Sequence, residues 1–378
     1  MSEAPETANP RVPVFAFAPD VELEHALREA IERVMASRHY ILGKEVDAFE
    51  HEFADYCGTR RCVGVANGTD ALELALRALG LGRRSRVATV ANAGYYTCTA
   101  LDAIGAEPVF VDVDESLTMS PSALAHVVAD VDAVVVTHLY GRLAAVETIV
   151  ECAARHAKPV VEDCAQAHGA ARGGRRAGSF GACGCFSFYP TKNLGALGDG
   201  GAIVSSDDAL ADEVRTLRQY GWTKKYEVSV RGGRNSRLDE LQAAVLRTKL
   251  PRLDAWNAQR RSIATRYRAG LADRCLLLPA VSDEADVAHL FVVRHALRDA
   301  LRQALDSAGI ASDVHYPIPD HRQRARTPPP RSLPVTEAAC NDVLTLPCFP
   351  GLAVAAIDRV IAVVRDFASI RQRGGASR

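Results

Sequence analysis

Lys192 closes an apolar and aromatic run, Cys185-Phe186-Ser187-Phe188-Tyr189-Pro190-Thr191-Lys192, and a glycine-rich turn follows it. Most lysines stand in water. A lysine taken out of water gives up its proton more easily, and its amine then forms Schiff bases with carbonyl compounds. Asp163 follows the apolar run Pro159–Glu162. A carboxylate buried there is costly without a partner, and a protonated pyridine nitrogen is one partner that satisfies it. A cap on a following helix is the plainer use of such an aspartate. Gly68-Thr69 opens the helical segment Asp70–Leu79. The unpaired N–H groups and the dipole of a helix start attract anions, and glycine lets a phosphate approach the backbone. A simple N-cap by Thr69 is the alternative, and at this point the two readings stand level. An anion site, a strand-end acid and a desolvated lysine together meet the needs of pyridoxal 5'-phosphate (PLP).

The elements that must position these residues alternate. Helical periodicity marks Glu22–Met35, Glu45–Tyr56, Asp70–Leu79, Thr97–Ile104 and Ile149–Ala157. Between them lie short apolar strands at Cys62–Val65, Arg86–Val90, Pro108–Val113, Ala133–Thr137 and Pro159–Glu162, then Gly184–Phe188 and Gly201–Ser205. Continuously apolar strands separated by helices predict a mainly parallel sheet covered on both faces. Such sheets bind ligands beyond the carboxyl ends of their strands, where Asn67, Asn92, His138, Asp163 and Ser187 would converge. Ala209–Arg218 and Leu238–Leu250 read as long helices. The chain then enters a smaller C-terminal domain with a strand at Leu290–Arg294 and helices at Asp299–Ala308 and Ala353–Phe367. The expected division is a frayed tail at 1–12, a large domain at 13–250 and a small α/β domain at 251–378. Arg322–Pro330, basic and ending in three prolines, reads as a loop.

Composition excludes several classes. Lys+Arg 45 against Asp+Glu 46 gives a net charge of −1, too balanced for a general nucleic-acid binder. No apolar run reaches the ~20 residues that span a bilayer, and the polar, acidic start is no secretory signal. We therefore expect a cytoplasmic protein with no membrane contact. The ten cysteines include no C-x-x-C pair, so zinc-ribbon spacing is absent and no metal is expected. Cys183 and Cys185 read as two small buried thiols.

Four motifs in order carry a resemblance: Asn67-Gly68-Thr69-Asp70-Ala71-Leu72, Glu162-Asp163-Cys164-Ala165-Gln166-Ala167-His168-Gly169, Phe186-Ser187-Phe188-Tyr189-Pro190-Thr191-Lys192-Asn193-Leu194-Gly195 and Asn235-Ser236-Arg237-Leu238-Asp239-Glu240. They resemble the DegT/StrS-type family of PLP-dependent nucleotide-sugar aminotransferases, over nearly the whole chain. The resemblance implies an α/β, fold-type-I aminotransferase with a seven-stranded, mainly parallel sheet in the large domain. It makes Lys192 the Schiff-base lysine and Asp163 the partner of the pyridine nitrogen. Gln166 falls beside the ring hydroxyl, with Gly68, Thr69 and Ser187 on the phosphate. Asn235 matches a phosphate contact that the family supplies from the neighbouring subunit, which implies a homodimer with shared active sites. Where the family has an aromatic residue stacked on the pyridine, this chain has Gly94, followed by Tyr95 and Tyr96. Tyr95 is expected to supply the stack.

The implied reaction moves an amino group from L-glutamate to a keto group of a nucleotide-linked deoxysugar. Lys224, Lys225, Arg231 and Arg234 are candidates for the diphosphate, against an ordinary solvated charge run. His315, Tyr316 and His321 lie in a loop resembling one that approaches the sugar in the family. Tyr220-Gly221 and this loop look more like the branch that aminates C3 of a dTDP-3-keto-6-deoxyhexose. The alternative is a 4-keto-sugar aminotransferase on a dTDP-, UDP- or GDP-sugar. Lys192 argues against the related sugar dehydratases, which carry His there. The full set Asp163, Gln166, Ser187 and Lys192 argues against a non-catalytic regulatory relative.

Overall fold

The strand Ala133–Thr137 shows how the sequence builds the centre of the protein. All five of its residues are buried. Val134 and Val136 enter one hydrophobic cluster, Ala133 and Val135 the other. Successive side chains on a strand face opposite ways, so a strand without polar alternation must be covered on both sides. A computed structural model describes residues 11–17, 20–272, 276–277, 283–325 and 332–375. Part of the expected tail, Cys275 and the end of the Arg322–Pro330 loop lie outside the described residues.

The large sheet contains β1 (Arg61–Val65), β2 (Arg86–Thr89), β3 (Glu107–Phe110), β4 (Ala133–Thr137), β5 (Val160–Asp163), β8 (Cys183–Ser187) and β9 (Gly201–Ser205), in the order β1-β9-β8-β5-β4-β2-β3. The short ribbon β6 (Ala171–Arg172) and β7 (Arg175–Arg176) stands apart from it. The pairs from β8 through β3 are parallel, and β9 runs antiparallel to both of its neighbours. One face carries Phe49 and Phe53 of α2 (Lys44–Cys57) and Leu246 of α8 (Glu240–Lys249). The other carries Leu72, Leu74 and Leu76 of α3 (Gly68–Ala78) and Val214 of α7 (Asp208–Leu217). Each such fully buried side chain contributes about 1.5–3 kcal/mol.

A second unit pairs β12 (Leu276–Leu277), β13 (Phe291–Arg294) and β14 (Val343–Leu346) antiparallel. Its core joins Tyr267 and Leu271 of α9 (Leu253–Leu271), Leu301 and Leu305 of α10 (Arg298–Ser307), and Val360 and Val364 of α12 (Val354–Gly375). Val12 belongs to this core. It is buried and bridges Ile310 in parallel, so the end of the expected tail is packed against the second unit. Asp112 of the large unit accepts the Val335 and Thr336 N–H groups at the start of α11 (Pro334–Asp342), pinning the second unit above the strand ends.

Candidate active site

The carboxyl ends of β1, β4, β5 and β8 open into one cavity of about 920 Å³. Its lining includes Gly68, Thr69, Tyr96, Thr137, Asp163, Gln166, Ser187 and Lys192 from the large unit, and His289, Asp313, His315, Tyr316 and Thr345 from the second. Parallel strands bring these groups to one rim, as their positions at the strand ends require.

The anion end is built by α3. Its N-cap is Asn67, whose Oδ1 accepts the Asp70 N–H at 2.8 Å, and not Thr69. The Gly68 and Thr69 N–H groups are thereby left without partners among the described residues. A Cβ on Gly68 would stand 2.6 Å from Ser187 Cβ, so only glycine allows this approach of helix to strand.

Asp163 is buried at the end of β5. Its Oδ1 accepts the Ala165 N–H at 3.1 Å, and Thr137 Oγ1 donates weakly to Oδ2 at 3.4 Å. Burial pushes its pKa up, while the Ala165 N–H and the Lys192 charge pull it back. No helix follows for it to cap. Lys192 stands in a turn closed by its own N–H to the Tyr189 carbonyl and by the Ala196 N–H to the Phe188 carbonyl, both at 2.8 Å. Burial lowers its pKa to about 8, against the raising effect of Asp163. The buried Lys249 ammonium fixes the turn by donating to the Gly195 carbonyl at 2.7 Å. Gln166 accepts the Tyr140 N–H at 2.6 Å and donates to the Tyr316 hydroxyl at 3.2 Å. His315 Nδ1 lies 2.8 Å from Thr345 Oγ1.

Several expected residues stand elsewhere. Tyr95 does not line the cavity; Tyr96 does. Gly94 and Tyr95 both take left-handed backbone conformations, at φ +80° and +70°, and this turn swings the Tyr95 ring off the rim. Its N–H donates to Asp320 and its hydroxyl to Asp102. His321 is buried against Phe110, with Nε2 2.9 Å from Glu337 Oε1, so it braces the loop and does not reach the cavity. Arg234 is held by Asp70 and Glu73 on α3. Lys224, Arg231 and Asn235 are exposed and lie outside the cavity formed by one chain. His289 was not singled out in the sequence, where it is a lone histidine ahead of an apolar strand.

The residues present fit PLP. Open helix N–H groups and Ser187 suit its phosphate, Asp163 its pyridine nitrogen, and Lys192 its aldehyde. Fold and site together define an aminotransferase of the PLP-dependent fold-type-I class. The chain belongs to the DegT/DnrJ/EryC1/StrS aminotransferase family, whose model matches residues 21–365. It is 45% identical over 365 residues to a dTDP-3-amino-3,4,6-trideoxy-alpha-D-glucose transaminase of Micromonospora megalomicea subsp. nigra, covering 93% of this chain and 98% of that one. A transaminase of the same name from Streptomyces venezuelae is 44% identical over 376 residues, covering 97% of this chain and 98% of that one. The solved structure of S. venezuelae DesV in complex with a ketimine intermediate superposes with a TM-score of 0.90 at 43% identity, covering 95% of this chain and 99% of that one. No helix among the described residues is long and apolar enough to cross a membrane.

Proposed function

We propose that this aminotransferase aminates C3 of a dTDP-linked 3-keto-6-deoxyhexose, with L-glutamate as amino donor, as a cytoplasmic homodimer. The observation that carries the reading is the agreement of two C3-aminating relatives, at 45% and 44% identity, with a complete Asp163, Gln166, Ser187 and Lys192 constellation in one cavity. PLP, when bound, supplies the electron sink for the amino-bearing carbon. The protein does the rest. Asp163 would hold the ring nitrogen with its buried carboxylate. Lys192, with its pKa lowered to about 8, takes and returns a proton near neutral pH. His315 and Tyr316 line the cavity from the second unit, where they would face the sugar.

A second copy completes the site in this reading. Among the described lining residues Lys192 is the only lysine or arginine, and its amine serves the cofactor, which leaves no permanent cation for a nucleotide diphosphate. Lys224 and Arg231 lie on or beside the projecting hairpin of β10 (Trp222–Lys224) and β11 (Glu227–Val228), which exposes Tyr226 and Val228. The expected partner covers those apolar side chains and receives Lys224, Arg231 and Asn235 at its own cavity. Sedimentation should show a dimer, and Arg231→Ala should raise the KM for the nucleotide sugar.

The deciding experiment incubates the protein with PLP, L-glutamate and, separately, dTDP-3-keto- and dTDP-4-keto-6-deoxyhexoses, with product NMR. An amine at C3 supports the reading. An amine at C4 alone, or turnover of only UDP- or GDP-sugars, overturns it.

A further inference from the structure

Two residues near the start of the chain, Val14 and Phe15, line the cavity, as do Leu290, Leu346 and Cys348 of the second unit. Backbone bonds pin the segment that carries them. The Val12 N–H donates to the Gly309 carbonyl at 2.9 Å, and the Ala311 N–H donates to the Val12 carbonyl at 2.8 Å. The half-buried Phe15 ring packs on Phe349 at 6.2 Å between centroids, and Phe17 meets it edge-on at 4.9 Å. The Cys348 thiol donates to the Arg260 and Ala288 carbonyls, at 3.8 and 3.6 Å, and so turns no polar hydrogen to the cavity. Val14, Phe15, Leu290 and Leu346 have no polar side-chain atom to offer. His289, beside Leu290 in the chain, stands with Nδ1 2.9 Å from Asn193 Oδ1. This apolar surface therefore adjoins the turn that carries Lys192.

A hydroxyl set against such a surface leaves water without gaining a partner, which is costly, whereas a methyl group gains by leaving water. A diphosphate, or a carboxylate of L-glutamate, finds no donor in these side chains. A 6-deoxyhexose carries a methyl group at C6 where the parent hexose carries a hydroxymethyl group. We propose that Val14 and Phe15, with Leu290, Leu346 and Cys348, form the subsite for the C6 methyl group of the nucleotide-linked sugar, and that Phe15 selects 6-deoxyhexoses over 6-hydroxyhexoses. The inference rests on the proposed acceptor being a nucleotide-linked 6-deoxyhexose. It does not depend on which carbon is aminated.

The test compares dTDP-6-deoxyglucose with dTDP-glucose, which differ only at C6 and carry no reacting keto or amino group. Calorimetry on the PLP-loaded protein should show the 6-deoxy compound binding about ten-fold to 10²-fold tighter. Phe15→Gln puts an amide into the wall and should bring the two affinities within about three-fold of each other, whereas Phe15→Leu keeps the wall apolar and should keep the preference. Val14→Thr exchanges a methyl for a hydroxyl at nearly constant size and should narrow the preference in the same direction, even where Phe15→Gln fails to fold. Equal affinities in the wild type, tighter binding of dTDP-glucose, or a full preference retained in both Phe15→Gln and Val14→Thr overturns the proposal. Amination at C4 together with the 6-deoxy preference would sink the C3 reading and support this subsite. Amination at C3 with equal affinities would do the reverse.

Discussion

The ring of Tyr316 rests on the backbone of Gly94: a Cβ at residue 94 would stand 2.8 Å from Tyr316 Cε1 and 2.9 Å from Cζ. Where the resemblance implies an aromatic side chain this chain has glycine, and a ring from the second unit packs directly on it. Tyr316 also accepts a hydrogen bond from Gln166, and its ring meets that of Tyr96 edge-on at 6.1 Å between centroids. Gly94→Ala should therefore displace Tyr316 as well as strain a backbone held at φ +80°. We expect a loss of about 1–2 kcal/mol in stability and a several-fold rise in the sugar KM. Thermal melting and steady-state kinetics check this. Unchanged values for both would show that the second unit does not close against Gly94.

The lowered pKa of Lys192 makes apoprotein stability depend on pH. The folded value is about 8 against an ordinary 10.5, so the unfolded chain holds more protons between those values. Stability then rises with pH through that window, and the full cost of the buried ammonium is felt below it. Lys192→Met apoprotein should be more stable than wild type at neutral pH, by no more than about 3 kcal/mol. The advantage should shrink as pH climbs from about 8 towards 10.5. Denaturant titrations at several pH values measure it, and an advantage independent of pH would contradict the burial of the charge.

Asp163 shows the opposite sign. Burial raises its folded pKa above 3.8, so the ionised group destabilises the apoprotein at neutral pH, and this cost fades as pH falls through the raised value towards 3.8. Asp163→Asn should give a more stable apoprotein at neutral pH, an advantage lost in acid. Its turnover should fall about 10²-fold or more, because a neutral amide no longer favours a proton on the ring nitrogen. Melting curves with and without PLP, together with kcat, test both halves.

Glu162, one residue earlier on β5, faces the other way and serves the fold. Its carboxylate accepts the Gly178, Phe180 and Gly181 N–H groups at 2.7–2.9 Å and meets His138 Nε2 at 2.9 Å. His138 Nδ1 accepts the Ala144 N–H at 3.2 Å, so the Nε2 proton points to Glu162. Glu162→Ala should cost about 3–5 kcal/mol, because three backbone N–H groups and the His138 Nε2–H lose their acceptor together. The exposed Arg155–Glu151 pair should cost under about 1 kcal/mol when broken. Chemical denaturation of the two variants gives the comparison.

The strand ends were legible in the sequence because an apolar run that stops at Asp163 or Thr137 has few other readings. The alternation that divides Val134 from Val135 between two cores was not visible in AVVVT, since both faces are apolar. Nor did Gly201–Ser205 reveal that β9 runs against its neighbours. Local turns misled where two similar residues compete: Asn67 caps α3 in place of Thr69, and two left-handed residues hand the rim to Tyr96 in place of Tyr95. His315 and His321 looked alike within one loop, yet Thr345 holds the first at the cavity and Glu337 holds the second away from it. His289 carried no signal, because Asn193, which meets its ring, is distant in the chain and comes to it only in the fold.

Two buried lysines have pKa values lowered to about 8, Lys192 in the cavity wall and Lys249 beneath the turn that carries it. Borohydride reduction of the PLP-loaded protein, followed by peptide mass spectrometry, decides between them. The account predicts a single pyridoxyl label on the peptide containing Lys192. A label on Lys249, or only on exposed lysines such as Lys224, would contradict it.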